Sequence, residues 1–234
     1  MIYGLSNVGK KRAVNEDSFY FERFPKGYVM IVSDGMGGHN AGDVASRLAI
    51  SSIREFMEKH DIFSDPEIMI RQAVSYANEK IFTSSLKKVQ WHGMGATLVM
   101  AVVRSQTAFV ANVGDSRAYL ISKNKISQIT RDHSYVYELV KNGIITEEEA
   151  KTHPRRNEIL KALGIAPEVY PDIFSLEIIR TDKLLLCTDG LTSQVDDSEI
   201  LSAVNKMSRK ASCEELVRLA NERGGPDNIT VVIS

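Results

Sequence analysis

Carboxylates recur along this 234-residue chain in one arrangement, at the end of an apolar run that reads as a β-strand or in the turn leading into one. Asp34 follows Tyr28-Val29-Met30-Ile31-Val32 and is itself followed by Gly35, and Asp189-Gly190 follows Leu184-Leu185-Leu186-Cys187 in the same way. Asp227 stands in the turn before the run Ile229 to Ile233, Asp115 in the turn Val113-Gly114-Asp115-Ser116-Arg117, and Glu16-Asp17 just before Ser18-Phe19-Tyr20-Phe21. Asp-Gly is a common turn pair, so any one of these is weak evidence. Five of them abutting apolar strands are harder to dismiss, because carboxylates that converge repel one another and demand cations. The candidate donors are all oxygens and no Cys/His cluster has zinc spacing, so hard cations are expected, Mg²⁺ or Mn²⁺. Two such ions a few ångströms apart can bridge a water, lower its pKa and clamp a phosphoryl group for in-line attack. Arg12, shortly before Glu16, offers a guanidinium able to hold two non-bridging phosphate oxygens.

The stretch Val32-Ser33-Asp34-Gly35-Met36-Gly37-Gly38-His39 invites a second reading, since glycine-rich turns between strand and helix often cradle phosphates. The dinucleotide fingerprint fails at its third glycine, which falls on Asn40, and Asp34 would repel pyrophosphate. The phosphate-loop pattern also fails, because Asp43-Val44 stands where Lys and Ser/Thr are needed. A metal-ligand role explains Asp34 better, with the glycines letting the chain turn so that a neighbouring carbonyl also faces the metal.

These carboxylates need elements to hold them. Strand-like runs cover Tyr28–Val32, Thr97–Val103, Ala108–Val113, Arg117–Ile121, Lys183–Cys187 and Ile229–Ile233. The middle three follow one another too closely for crossover helices, which predicts an antiparallel meander. Helical periodicity runs from Asn40 to about Lys59, with Ala45, Ala49, Ile53, Phe56 and Met57 on one face, and through Ile70, Val74, Ala77 and Ile81. Ser64-Asp65-Pro66-Glu67, Thr146-Glu147-Glu148-Glu149 and Ser212-Cys213-Glu214-Glu215 have capping-box spacing. Segregated strands and amphipathic helices predict an α+β fold with helices covering sheet faces. From about 132 to 164 the texture changes to short helices, a lid or surface subdomain. The final NITVVIS reads as a strand closing the fold at its edge.

Composition sets outer bounds. With 43% hydrophobic and 25% charged residues the chain reads as one ordinary globular domain, long enough for a core without disulfides. A net charge of -1 gives no hint of a nucleic-acid surface, and no apolar segment has membrane-spanning length. Cys187 and Cys213 are expected to be reduced thiols, and the cytoplasm the setting.

Taken in order, Arg12-x-x-Asn15-Glu16-Asp17-Ser18, Asp34-Gly35-Met36-Gly37-Gly38-His39, Gly114-Asp115-Ser116-Arg117, Asp189-Gly190-Leu191 and Asp227-Asn228 resemble the metal-dependent serine/threonine protein phosphatases of type 2C. Asp132-His133-Ser134 and His153-Pro154-Arg155-Arg156-Asn157 resemble the flap of the bacterial branch. The resemblance spans essentially the whole chain, 1–234, as a single catalytic domain with a flap at about 132–164. It implies a four-layer α-β-β-α sandwich of two antiparallel sheets, with a metal centre at one end. It implies Asp34 as the carboxylate bridging two Mn²⁺ or Mg²⁺ ions, Glu16 and the Gly35 carbonyl as ligands of one, and Asp189 and Asp227 as ligands of the other. Asp115 resembles the ligand of a third, weaker site shared with Asp189, Asp17 the residue that orients metal-bound water, and Arg12 the phosphate clamp. The implied reaction is direct attack of a metal-bridged hydroxide on phosphoserine or phosphothreonine in proteins, opposing a bacterial kinase that is itself among the substrates, by a monomer. A metal-bound water or a histidine would protonate the departing oxygen; His39 is either that acid or a loop-packing residue. A catalytically silent scaffold and a partner-switching phosphatase are the competing readings. Every matched carboxylate and Arg12 being present argues against the first, and the Arg12 motif and long flap against the second.

Overall fold

The computed structural model describes residues 1–37 and 41–234. Its strands are β1 (Tyr3–Asn7), β2 (Asp17–Phe24), β3 (Gly27–Met36), β4 (Gly95–Ala96), β5 (Leu98–Arg104), β6 (Thr107–Val113), β7 (Arg117–Ser122), β8 (Lys125–Gln128), β9 (Asp172–Glu177), β10 (Lys183–Cys187) and β11 (Ile229–Ile233). Its helices are α1 (Ala41–Lys59), α2 (Pro66–Ser85), α3 (Tyr135–Lys141), α4 (Glu147–Thr152), α5 (Asp189–Thr192), α6 (Asp197–Lys206) and α7 (Arg209–Glu222). One sheet has the order β1-β11-β10-β7-β8 and the other β2-β3-β5-β6-β9, with β4 pairing the end of β3. The described pairings within both sheets are antiparallel.

Strand alternation builds three apolar layers from these two sheets. Val29 and Ile31 of β3 face α1 and α2, while Met30 and Val32 face the opposite sheet. Leu185 and Cys187 of β10 face the α6 and α7 side, while Leu184 and Leu186 face inward. Strands buried on both faces read as continuous apolar runs, which is why these were legible. Helix, sheet, sheet and helix therefore stack as four layers, as expected. Cys187 and Cys213 are buried and free.

Several expectations needed correction. The three middle strands do not form one meander: β5 and β6 pair with each other, but β7 crosses to the other sheet and pairs with β10 and β8. The turn Gly114-Asp115-Ser116 is that crossing, and Gly114 makes it at φ +107. The last strand is not at an edge, because β1 covers β11 in register from Tyr3↔Ile233 to Asn7↔Ile229. Ser212 is not a cap. Helix α7 starts earlier on Ser208, and the Ser212 hydroxyl donates to the Ala203 and Ser208 carbonyls at 3.1 and 2.9 Å. Before α2 the cap is Asp65, with Pro66 in the first turn, and Ser64 instead bonds back to Asp61. Thr146 and Glu149 do form the expected capping box on α4. The 132–164 stretch carries α3 and α4, and bridges at Ser134↔Ile159 and Ala96↔Leu163 close its base.

Candidate metal centre

Asp17 and Asp34 are direct cross-strand partners at the end where β2 begins and β3 approaches β4. Strand β3 does not stop at Val32 as its apolar run implied. It continues to Met36 because β4 pairs with it through Gly35↔Ala96 and Met36↔Gly95. Asp34 is therefore held within a strand and not on a bend. Its N–H donates to Thr97 Oγ1 at 3.0 Å, and its carbonyl accepts from the Thr97 N–H at 2.8 Å. Gly35 is required by close approach, since a Cβ there would lie 1.9 Å from the Gly42 carbonyl oxygen. The second Asp-Gly pair has the same cause: a Cβ on Gly190 would lie 1.9 Å from the Asn228 carbonyl oxygen.

Around Asp34 the other carboxylates gather. Asp189 opens α5 at the end of β10, and its charge acts on the Asp34 carboxyl. Burial and then the charges of Asp17, Asp189, Asp115 and Asp227 push Asp34 well above the usual carboxylate range. Asp17 is pushed up to about 7, first by burial, although two threonine hydroxyls oppose the shift. Those hydroxyls, of Thr188 and Thr230, donate to Asp17 Oδ2 at 2.9 and 2.7 Å. Asp115 is pushed to about 8 and Asp189 to about 6, in each case by burial first and a neighbouring aspartate next. One oxygen each of Asp17, Asp115 and Asp189 is buried with no hydrogen-bond partner.

Glu16 precedes this pair and is fixed through its backbone. Its N–H donates to Asn228 Oδ1 at 2.8 Å, and its carbonyl accepts from the Gly35 N–H at 3.1 Å. A Cβ added to Gly42 would lie 2.5 Å from Glu16 Oε1 and 2.7 Å from the Gly35 carbonyl oxygen. Those two oxygens therefore face one small space. Asp227 has Oδ1 on the Asn228 N–H and Oδ2 on Arg12, each at 2.8 Å. Arg12 is thus engaged with a carboxylate of the centre, and that contact holds its proton more firmly.

Among the described residues no three of these side chains close into a finished coordination cage. The donor chemistry nonetheless fits a hard cation: carboxylate and carbonyl oxygens, orphaned buried oxygens, and carboxyls whose protonation is favoured by burial and then by one another's charge. His39, the candidate proton donor, lies outside the described residues.

A family model for protein phosphatase 2C matches residues 7–228. The chain belongs to the protein phosphatase 2C family. It is 40% identical over 232 residues to the serine/threonine phosphatase stp of Listeria welshimeri, covering 96% of this chain and 91% of that one. The structure of the serine/threonine phosphatase Stp1 from Staphylococcus aureus superposes with a TM-score of 0.94 at 36% identity, covering 99% of this chain and 93% of that one. The catalytic domain of the phosphatase PstP, solved in complex with 2 manganese ions, matches with a TM-score of 0.89 at 35% identity, covering 100% and 96%.

Several residues that shape this phosphatase-family centre were not among the site residues expected from the sequence. Thr188 and Thr230 turn Asp17 so that its free oxygen faces the other carboxylates, yet threonines in strands are ordinary. Gly42 sat inside a helical pattern, where nothing marks a glycine as needed. Asp43, in the first turn of α1, has one buried oxygen without a partner and adds negative charge beside Glu16. His133 fastens the flap to the Asp115 turn. Its N–H donates to the Gly114 carbonyl at 2.9 Å, and its Nδ1 accepts from the Gly114 N–H at 3.1 Å. Arg117, two residues past Asp115, makes a forked pair with Asp132 at the flap's base, Nε donating to Oδ1 and Nη2 to Oδ2.

Proposed function

We propose that this chain hydrolyses phosphoserine and phosphothreonine on proteins, using two Mn²⁺ or Mg²⁺ ions. The observation that carries the reading is the group of buried carboxylates with orphaned oxygens around Asp34, beside Arg12. Bound divalent cations supply the positive charge that draws phosphate oxygens in and lowers the pKa of water. Asp34 would be shared between two donor sets, Glu16 with the Gly35 carbonyl for one ion and Asp189 with Asp227 for the other. Asp115, adjoining Asp189, would serve a third and weaker site. The free oxygen of Asp17, held by its two threonines, orients the attacking water and accepts its hydrogen. Arg12 would leave Asp227 and take phosphate oxygens in a fork. His39 is a candidate donor to the departing hydroxyl.

The substrates would be phosphoproteins, including a Ser/Thr kinase whose action this enzyme opposes, and the cytoplasm is the expected place. Among the described residues no helix is long and apolar enough to cross a membrane. The working unit is taken as the single chain, whose three apolar layers are closed by its own residues. Hydrolysis of a phosphothreonine peptide with Mn²⁺ tests the reading: EDTA should abolish turnover, and Asp34→Asn should lower kcat/KM by several orders of magnitude. Full turnover under thorough chelation would end the two-metal account.

A further inference from the structure

The outer edge of β2 lies open beside the carboxylate centre. Strand β2 ends its sheet and pairs with β3 alone. Because the Glu16 carbonyl bonds to the Gly35 N–H, antiparallel alternation turns the backbone of residues 18, 20 and 22 toward β3. The N–H and C=O groups of Phe19 and Phe21 then point outward. Asp17 has the same parity, and its N–H indeed bonds outward to Asn15 Oδ1 at 3.2 Å. Among the described residues the backbone groups of Phe19 and Phe21 have no partner on that side. Such an edge is a template for another strand.

A cleft of about 350 Å³ opens at the start of this edge, touching Asp17, Ser18 and Phe19 together. Successive side chains on a strand point to opposite faces, so a cleft meeting all three runs over the edge and not along a face. Helix α1 forms one wall with Arg47, Ser51 and Arg54, spaced to share one side of the helix. Arg47 is paired with Asp43. Arg54 has no ion-pair partner among the described residues; its guanidinium sits 4.9 Å over the Tyr20 ring. The nearest acid on β2, Glu22, is taken by the Tyr20 hydroxyl.

We propose that this cleft docks an extended, acidic stretch of the substrate polypeptide, added to β2 as a further strand with its acidic side chains against Arg54 and Arg47. The inference rests on the phosphoprotein reading and names what the enzyme recognises beyond the phosphate. Asp17 belongs both to the cleft and to the carboxylate centre, so the groove starts where the phosphate would sit. Helix α1 rises about 1.5 Å per residue, which places Arg54 roughly 16 Å and Arg47 roughly 6 Å along from Asp43. An extended chain spans those distances in about five and about two residues. Main-chain pairing would supply affinity, and the arginines the choice of acidic flanks.

Binding of short unphosphorylated peptides, read by fluorescence anisotropy, tests docking without chemistry. Two peptides carry Glu about two and five positions from a central Thr, on its N-terminal or its C-terminal side; one is neutral, and one has Lys in place of Glu. The full chain should bind at least one acidic peptide about three- to fivefold more tightly than the neutral one. Backbone N-methylation at alternate positions of that peptide should remove the gain. Arg54→Glu should reverse the preference toward the Lys peptide, a result that damage to the fold cannot imitate. Equal binding of acidic and neutral peptides, or an unchanged preference in Arg54→Glu, overturns the proposal. Turnover of a small phosphomonoester with Mn²⁺ is measured alongside: its absence would count against the phosphatase reading and not against the groove.

Discussion

Removing divalent cations should give this fold a pH dependence opposite to that of most acid-sensitive proteins. Asp17 is the clearest reporter, being 8% exposed and held at about 7 against an ordinary carboxylate value of 3.8. Its folded pKa is raised, so the folded state binds more protons than the unfolded one. The associated stability is complete below the unfolded value and drains away as pH rises through the folded one. Between pH 5 and pH 8 that single group withdraws on the order of 3 kcal/mol. Asp34, Asp115 and Asp189 shift the same way, but they share protons with Asp17, so their effects are not added to it. For a chain of this size such a loss corresponds to a drop of about 6–12 °C in Tm.

Thermal unfolding in EDTA, followed by near-ultraviolet circular dichroism at pH 5, 6.5 and 8, measures the slope. The metal-free protein should be most stable at pH 5. Saturating Mn²⁺ should flatten the slope, because a bound cation favours ionised carboxylates, and should raise Tm most at pH 8. Asp34→Asn should weaken the slope in EDTA by removing one charge from the cluster. A metal-free protein whose Tm is flat or rising from pH 5 to 8 would refute the idea that these carboxylates are packed for cations.

Gly42→Ala should lower Mn²⁺ affinity about tenfold or more by calorimetry, since the new methyl meets Glu16 Oε1 and the Gly35 carbonyl oxygen. Its thermal midpoint should fall as well, because the Gly35 carbonyl is backbone and cannot yield cheaply, and the helix-propensity gain of about 1 kcal/mol offsets only part of that strain. Arg12→Ala should lower kcat/KM on a phosphopeptide about a hundredfold while tightening metal binding, because it frees Asp227 Oδ2. Weaker metal binding in that variant would show that the Arg12–Asp227 pair supports the site and does not compete with it. Asn228→Ala removes bonds to the Glu16 N–H and to the Val8 and Val14 carbonyls, at 3% exposure. It should cost about 2–4 kcal/mol in urea unfolding, from several unsatisfied buried groups.

What could be read in advance follows from where chemistry is local. The apolar runs of β3, β5, β6, β10 and β11 were legible because each is buried on both faces. Strands β1, β8 and β9 were not, because their exposed or half-buried residues give no continuous run. The Asp-Gly pairs stood out as turn signals, but the reason for their glycines did not. Gly35 faces the Gly42 carbonyl and Gly190 that of Asn228, contacts between segments that sequence alone does not bring together.

The crossing at Asp115 shows how strand assignment and site are linked. Read as a meander, β5, β6 and β7 would carry the Gly114-Asp115-Ser116 turn along one sheet, with no reason to meet Asp189. In the structure β7 leaves that sheet and pairs with β10 through Cys187↔Arg117, the register position just before Thr188 and Asp189. Moving one strand between sheets therefore sets Asp115 beside the end of β10, and the charge of Asp189 becomes the chief neighbouring influence on it. Thr97, just before β5, fixes the other side of that crossing: its Oγ1 lies 2.7 Å from Ser116 Oγ and accepts from the Asp34 N–H. The turn carrying Asp115 is thus tied to the strand carrying Asp34 through one buried hydroxyl. Asp115 joins the other carboxylates because the chain crosses from one sheet to the other at the end where their apolar runs stop.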